Sequence, residues 1–339
     1  MKALVLVETG KVRMEDRNKP IAKDDEVLIR VRASGICGSE VEGFLGKSDK
    51  RVPPLIMGHE LTGDVTESGL AEDDSLIGQR VVVQPVISCG KCEQCIEGNI
   101  TRCATRGLIG INRPGGFAEY VAVPRSSVYP LPEGLDYAGG TLTEPLAVIV
   151  RAFNQNQKGL IRWVSIFGAG TLGALALQIA KLVGAETIIS DVNPLRLEAA
   201  KQLGAETVIR AHQEDPVQGA LDATGGRGVD MAIDAVGQAI TRQQCLASLK
   251  NGGVAVFIGL GKDHAVTPLN CLDIVNKELR ITGSYAYSNW EFTQALNFLE
   301  RQKIKRTGWV EEIPLEDGPK AFENLAAGAS RAAKIVLMP

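Results

Sequence analysis

The stretch FGAGTLGALAL, residues 167–177, restricts the possible folds of this chain more than any other. Gly168, Gly170 and Gly173 stand in G-x-G-x-x-G spacing, a weak signal alone because glycine-rich turns are common. The surroundings make it strong. IRWVSIFG reads as a strand leading in and TLGALALQIAKLVG has helical periodicity leading out. ETIISD then reads as a second strand, ending at Asp191, 18 residues past the third glycine. In such a unit the first glycine permits a tight turn and the second lets the backbone approach a pyrophosphate. The third lets the helix pack close to the strand, with the phosphates facing the helix N-terminus. Thr171 and Leu172 complete the candidate turn. Asp191 would hydrogen-bond the adenosine ribose hydroxyls and repel a 2′-phosphate, favouring NAD over NADP, whereas the nearby Arg196 works against that preference.

The alternation continues. NPLRLEAAKQLG opens with Asn-Pro and closes with glycine, as a helix does, and VDMAID, VAVFIG and ELRITG read as further strands. Val236, Ile258, Leu260 and Ser284, near the ends of these strands, are additional candidate cofactor contacts. Strand and helix in alternation imply an α/β Rossmann domain, a doubly wound parallel sheet covered on both faces. The first 145 residues differ: KALVLV, EVLIRVRA, QRVVVQPV and AEYVAV are short β-branched runs between Gly, Pro and Asp clusters, which predicts a mainly β domain. A length of 339 residues fits about two domains. The last fifty residues predict a helix, a second helical stretch near 317–327 and a closing strand, which could extend the α/β unit or fold back on the N-terminal part.

Several function classes are disfavoured. A formal net charge of −3 with scattered Lys and Arg gives no electrostatic footprint for nucleic acid or an anionic membrane. The densest basic group, KSDKR at 47–51, reads as a solvated loop. The N-terminus lacks the apolar core and cleavage site of a signal peptide, and the uncharged run 163–180 carries three glycines at motif spacing, so a cytoplasmic protein is expected.

CGKCEQCIEGNITRC places Cys89, Cys92, Cys95 and Cys103 in C-x2-C-x2-C-x7-C spacing. Four thiolates on a short loop close a tetrahedral shell around zinc and leave no open position, which is a structural site. Cysteines this close bridge poorly as disulfides, and a reducing compartment opposes it. A different question arises at IMGHELTG, residues 56–63, where His59 adjoins Glu60 in a chain with only three histidines. Neighbours in a regular strand point to opposite faces. From these residues alone, His59 is either a satisfied core histidine or a ligand, and the isolated Cys37 either packing or a ligand.

The ordered set GICGSE, GHELTG, CGKCEQCIEGNITRC, GGFAEYVAVP, TEPLAV, GAGTLG and SDVNPLRL resembles the zinc-dependent medium-chain dehydrogenase/reductase family along essentially the whole chain. It is most similar to the polyol and sugar branch of sorbitol and galactitol-1-phosphate dehydrogenases. That resemblance implies a GroES-like catalytic domain over 1–148, with a structural-zinc lobe near 85–105. It further implies an NAD-binding domain over 149–287 and a segment, 288–339, returning to the catalytic domain, with the active-site cleft between the two. It implies two zinc ions per chain and a homodimer or homotetramer. Cys37 and His59 would hold the catalytic zinc, Glu60 would join them as in sorbitol dehydrogenases, and Glu144 would lie at the metal directly or through water. Ser39 would take the alcohol proton. The implied activity is oxidation of a secondary alcohol of a polyol or sugar, with or without a phosphate, to the ketone: zinc acidifies the hydroxyl and hydride passes to NAD. Two departures bear on substrate. Glu42 stands where sorbitol dehydrogenases have a histidine, and Ala286 precedes Tyr287 where they have an arginine. Lys47, Lys50 and Arg51 could meet a sugar phosphate. Competing readings are an L-threonine dehydrogenase relative and a catalytically silent NAD-binding zinc protein.

Overall fold

The computed structural model describes residues 1–70, 74–156, 159–261, 263 and 265–339. The chain divides into two compact units, one of residues 1–144, 287–302 and 310–339, the other of 145–286 and 303–309. Along the first 144 residues the elements are β1 (Lys2–Glu8), β2 (Lys11–Asp16), β3 (Glu26–Ile36), α1 (Gly38–Phe44), β4 (Leu55–Ile56) and β5 (Glu60–Ser68). Then come β6 (Arg80–Val83), β7 (Val86–Ile87), α2 (Glu93–Ile96), β8 (Gly107–Leu108), β9 (Tyr120–Pro124), β10 (Val128–Pro130) and α3 (Tyr137–Gly140). Helix α4 (Thr143–Asn156) leads into the second unit, built from β11 (Trp163–Phe167), α5 (Thr171–Leu182), β12 (Glu186–Asp191), α6 (Pro194–Gln202) and β13 (Thr207–Arg210). It continues with α7 (Pro216–Ala223), β14 (Val229–Asp234), α8 (Ala239–Ala247), β15 (Leu249–Phe257), α9 (Cys271–Asn276) and β16 (Arg280–Gly283). The chain closes with α10 (Asn289–Glu300), β17 (Val310–Pro314), α11 (Gly318–Ala326) and β18 (Lys334–Met338).

The first unit is organised around β3, long enough to pair with β5, β9 and β18 at different points along its length. The sheet order is β10-β6-β5-β3-β18-β17. One set of side chains, including Val27, Ile29, Val31, Leu61, Val65, Val81, Val83, Val121 and Val123, forms a closed β core. A second core joins Leu4, Leu6, Phe44, Met57 and Phe117 to Phe322 of α11 and Ile335 and Leu337 of β18. The C-terminal strand is therefore a structural member of this unit. Ile335 lies opposite Ile36, one residue before Cys37, so the start of β18 is brought to the end of β3.

In the second unit six parallel strands run in the order β13-β12-β11-β14-β15-β16. Their near-continuous burial, as in Val164–Phe167 and Thr187–Asp191, is what a sheet covered on both faces requires. Helix α6 starts as its sequence suggests: the Asn193 side chain accepts from the N–H groups of Leu195 and Arg196, and Pro194 takes the first position. The strand order reverses between β11 and β14, and the glycine-rich turn leaves the sheet there, at the crevice where such sheets bind ligands.

Two boundaries differ from the sequence expectation. The units part after Glu144 and after Ala286 instead of after 148 and 287. Residues 303–309, expected with the returning segment, belong to the second unit. Gln178 of α5 donates to the Lys305 carbonyl at 3.2 Å and accepts from the Lys305 N–H at 2.7 Å. Trp309 is 1% exposed and its indole N–H also binds the Lys305 carbonyl. No periodicity signal announces a seven-residue segment held in this way. Among the described residues, no helix is long and apolar enough to cross a membrane.

The third glycine of the turn is set by packing alone. A Cβ at Gly173 would overlap the Gly168 carbonyl oxygen, so α5 rests on the turn with no space for a methyl group. Gly173→Ala should cost about 3 kcal/mol, read as a lowered midpoint in thermal or urea unfolding; an unchanged midpoint would show that α5 can shift freely.

Candidate active site

The first unit gathers a dense set of buried polar groups. Cys37 caps α1, and Glu40, three residues on, is 0% exposed. The Glu40 carboxylate accepts from the Cys37 N–H at 2.9 Å, from the Gly58 N–H at 2.7 Å and from His59 Nδ1 at 2.9 Å. A carboxylate accepts only, so this network assigns the proton to Nδ1 and leaves Nε2 of His59 free to ligate. Gly58 holds φ +100°, and a Cβ there would collide with Phe117. This bend precedes β5, which starts only at Glu60, so His59 is not in the regular strand. That resolves how adjacent residues face one point: the donor atoms of Cys37, His59 and Glu60 all lie within 4.8 Å of one another.

Glu60 is 1% exposed and forms an ion pair with Lys334, the first residue of β18, which is equally buried and also donates to the Ile36 carbonyl at 3.1 Å. Its other oxygen, Oε1, is buried with no protein partner among the described residues. Glu144 is also buried, at 9% exposure, with Tyr287 among the groups that act on its carboxyl. It stands apart from the three close donors. Ser39 donates to Cys37 Sγ at 3.3 Å and accepts from Arg51 Nη2 at 3.0 Å.

These groups perturb one another. Burial raises the Cys37 thiol, but its hydrogen bond to His59, the charge on His59 and the ammonium of Lys334 outweigh it and hold the thiol at about 6. Burial opposes charge on His59 too, yet Glu40 and Cys37 raise it well above its usual value. Burial dominates at Glu144, which is pushed up to about 7, and at Lys334, which falls to about 8. The acidic groups Cys37, Glu40, Glu60 and Glu144 outnumber the basic side chains Arg51 and Lys334 around them, an imbalance that a bound cation would relieve. Thiolate, imidazole and an unpartnered carboxylate oxygen at one point are a donor set suited to zinc.

The four-cysteine loop meets the same test. The thiols of Cys89, Cys92, Cys95 and Cys103 lie within 4.8 Å of one another, and all are free. Cys89 and Cys95 are 3.9 Å apart and Cys92 and Cys95 3.4 Å. A zinc tetrahedron with bonds of about 2.3 Å has sulfur–sulfur edges of about 3.8 Å. Backbone N–H groups of Cys89 and Cys92 point at the Cys103 and Cys89 sulfurs, which favours thiolates.

In the second unit, a Cβ on Gly170 would meet nothing within 4 Å, so no part of this unit requires glycine there. Gly168 does need its φ of +96°, and Val236 packs against it. Asp191 accepts from the Ala169 N–H at 2.6 Å and the Asn193 N–H at 2.7 Å, so its carboxylate sits beside the turn. Thr171, Leu172 and Arg196 are half-buried, and Arg196 Nε is buried without a partner among the described residues. The loops after β14 and β15 touch through Gly237, Gly259 and Gly261, which draws Val236, Ile258 and Leu260 together. Leu260 is 64% exposed, whereas Ile258 and Ser284 are buried, the latter with an unpartnered Oγ.

Sequence reasoning missed three groups. Glu40 was findable, since three residues after a helix-capping position is where a capping carboxylate stands. Arg51 was read as part of a solvated loop, but it is 7% exposed with its guanidinium on Ser39. Lys50 is exposed as that reading requires. Lys334 gave no signal, because it lies 274 residues from its partner.

Comparison with known proteins gives two family matches: the alcohol dehydrogenase GroES-like domain over residues 23–133 and the zinc-binding dehydrogenase domain over 171–301. A sorbitol dehydrogenase of Bacillus subtilis is 32% identical over 100% of this chain and 97% of its own length. The crystal structure of galactitol-1-phosphate dehydrogenase from Escherichia coli superposes with a TM-score of 0.92 at 28% identity, covering 100% of both chains. A structure from Sinorhizobium meliloti, assigned as a zinc-binding dehydrogenase and bound to NADP, has a TM-score of 0.91 at 32% identity over 100% of this chain and 99% of its own. The full-length match, both domain matches and two thiol-bearing centres agree on one conclusion: this chain belongs to the zinc-dependent medium-chain alcohol dehydrogenase family.

Proposed function

We propose that the enzyme interconverts a secondary hydroxyl of a polyol or sugar, with or without a phosphate, and the corresponding ketone, using NAD. The observation that carries this reading is the convergence of Cys37, His59 and Glu60 on one point beside the Ser39 hydroxyl. Cys37, His59 and Glu60, with Glu144 at or near them, would hold a zinc ion there, which would make a bound hydroxyl acidic near neutral pH. Everything else falls to the protein. Glu40 fixes the tautomer and angle of His59, Lys334 holds Glu60 by one oxygen and leaves the other free, and Ser39 receives the proton given up by the substrate. Cys89, Cys92, Cys95 and Cys103 hold a second, structural zinc, giving two per chain.

Cofactor choice rests on Asp191, whose carboxylate beside the turn suits ribose hydroxyls and opposes a 2′-phosphate. The NADP-bound relative makes this a property of individual members, and Arg196 tempers it. Gly168, Gly170 and Gly173 would take the pyrophosphate, with Thr171, Leu172, Val236, Ile258, Leu260 and Ser284 along the remaining cofactor surface. The polyol substrate class is supported by the names of the relatives, sorbitol and galactitol-1-phosphate dehydrogenases. Glu42 in place of a histidine, and Ala286 in place of an arginine, argue against sorbitol itself. A cytoplasmic homodimer or homotetramer completes the proposal.

A panel of polyols, sugar acids, their phosphates and threonine, read by NADH absorbance, tests the substrate class. Turnover of threonine with no polyol accepted would overturn it. Cys37→Ser should lower turnover by about 100-fold or more and bring zinc from two ions per chain to one, with NADH affinity retained; full activity would refute the metal assignment. Gly170→Ala places a methyl group in open space, so thermal stability should hold within about 0.5 kcal/mol while NADH affinity, measured by fluorescence titration, falls about tenfold or more. Unchanged affinity would remove the turn from the cofactor site.

A further inference from the structure

We infer that Arg51 is a positioning residue for Ser39 and that it makes the serine a directional proton relay. The inference rests on the dehydrogenase reading given above.

Arg51 follows the loop after α1, yet it is 7% exposed. Its stem crosses α1 at Gly43, where a Cβ would overlap Arg51 Cδ and lie 3.3 Å from its Cβ and Cγ. A glycine at 43 is what lets the stem pass. At its far end Nη2 donates to Ser39 Oγ at 3.0 Å, and Ser39 donates in turn to Cys37 Sγ at 3.3 Å. Nε is buried beneath the helix with no partner among the described residues. An unsatisfied buried N–H is unfavourable, so apart from its charge near Glu40 packing gives no reason for an arginine here.

The hydrogen-bond inventory gives one. A serine oxygen has one proton and two lone pairs, and a guanidinium can only donate. Arg51 therefore occupies one lone pair at all times. Ser39 is left with a single acceptor position and a single O–H. As the substrate O–H bond breaks, its proton goes to the open lone pair, and the serine turns its own O–H from Cys37 Sγ to a solvent water, which carries the proton away as hydronium. Ser39 ends neutral, as it began, and Arg51 keeps its charge. Without Arg51 the hydroxyl rotor has a second open acceptor position, which water can fill, and the direction of transfer is lost.

Burial raises the Glu40 carboxyl, but His59 and, less strongly, Arg51 hold it below the usual range. Removing Arg51 could disturb the fold, so the test is a double-mutant cycle. Arg51→Lys and Arg51→Met are each made alone and with Ser39→Ala, and zinc content, NADH affinity and Tm are measured in every variant. Alone, each Arg51 variant should lose about ten- to a hundredfold in kcat, with KM changed by no more than about threefold. The solvent deuterium isotope effect on kcat should rise. In the Ser39→Ala background the same substitutions should cost nothing further, because an effect carried only through the serine disappears with it. Gly43→Ala, which crowds the stem, should reproduce the kinetic profile of Arg51→Lys with full zinc content. Losses that multiply in the Ser39→Ala background, or that follow zinc content or KM instead of kcat, overturn the inference and leave the dehydrogenase reading intact. An inactive wild-type enzyme across the substrate panel overturns both.

Discussion

Buried charge is the constraint on which the first unit depends. Four acidic groups, Cys37, Glu40, Glu60 and Glu144, share a small volume with Arg51, Lys334 and a histidine. An isolated buried charge costs several kcal/mol, and removing one partner of a buried pair typically costs about 3–5 kcal/mol. Such a cluster persists only if each member is placed against an opposite charge or a strong donor. The fold meets that demand from several directions. Glu40 comes from the first turn of α1, His59 from the bend at Gly58, Glu60 from the start of β5 and Lys334 from the C-terminal strand. The pairing of β18 with β3 is thus electrostatically necessary, since it delivers the ammonium that Glu60 faces.

The second unit works on the opposite principle: among the described residues it places no comparable charge cluster at its turn, and it relies on the absence of side chains. Gly173 lets α5 touch the turn, Gly168 adopts a left-handed conformation, and the contacts among Gly237, Gly259 and Gly261 bring two loops into backbone contact. Gly170 differs from all of these. Nothing among the described residues lies within 4 Å of a Cβ added there, so internal packing does not account for the glycine. On the proposed reading, an approaching pyrophosphate accounts for it. Three glycines in one motif therefore answer to three causes: backbone conformation, internal packing and ligand approach.

How much of this was legible in the sequence follows from the range of each interaction. The glycine turn, the helix cap at Asn193 and the four-cysteine loop are local, and the residues that act are within about a dozen positions of one another, so spacing alone exposed them. Cys37, His59 and Glu144 drew notice as chemistry-bearing residues, but only resemblance joined them, because separations of 22 and 85 positions leave no periodic trace. Lys334 was invisible for the same reason. Arg51 failed differently: a basic run normally signals a solvated surface, and that rule holds for Lys50 and breaks one residue later. The structure shows the local counterpart of Arg51 in Gly43, eight residues before it near the end of α1, where a Cβ would overlap the arginine stem.

The two departures from the sorbitol dehydrogenase pattern fit this division of labour. Glu42 is half-buried on α1, and Ala286 is half-buried with φ at +49°, in the left-handed region that an L-residue seldom adopts. Neither has a place in the balanced set of buried charges. Changing either leaves no orphaned ion, whereas changing Glu40, Glu60 or Lys334 would leave one. A site built in this way can alter what it accepts at positions such as 42 and 286 while the apparatus that activates a hydroxyl stays fixed by its own electrostatics. On that argument, reaction class is set by the residues that must neutralise one another, and substrate identity by those that need not. This explains why the chain discloses the first so much more readily than the second.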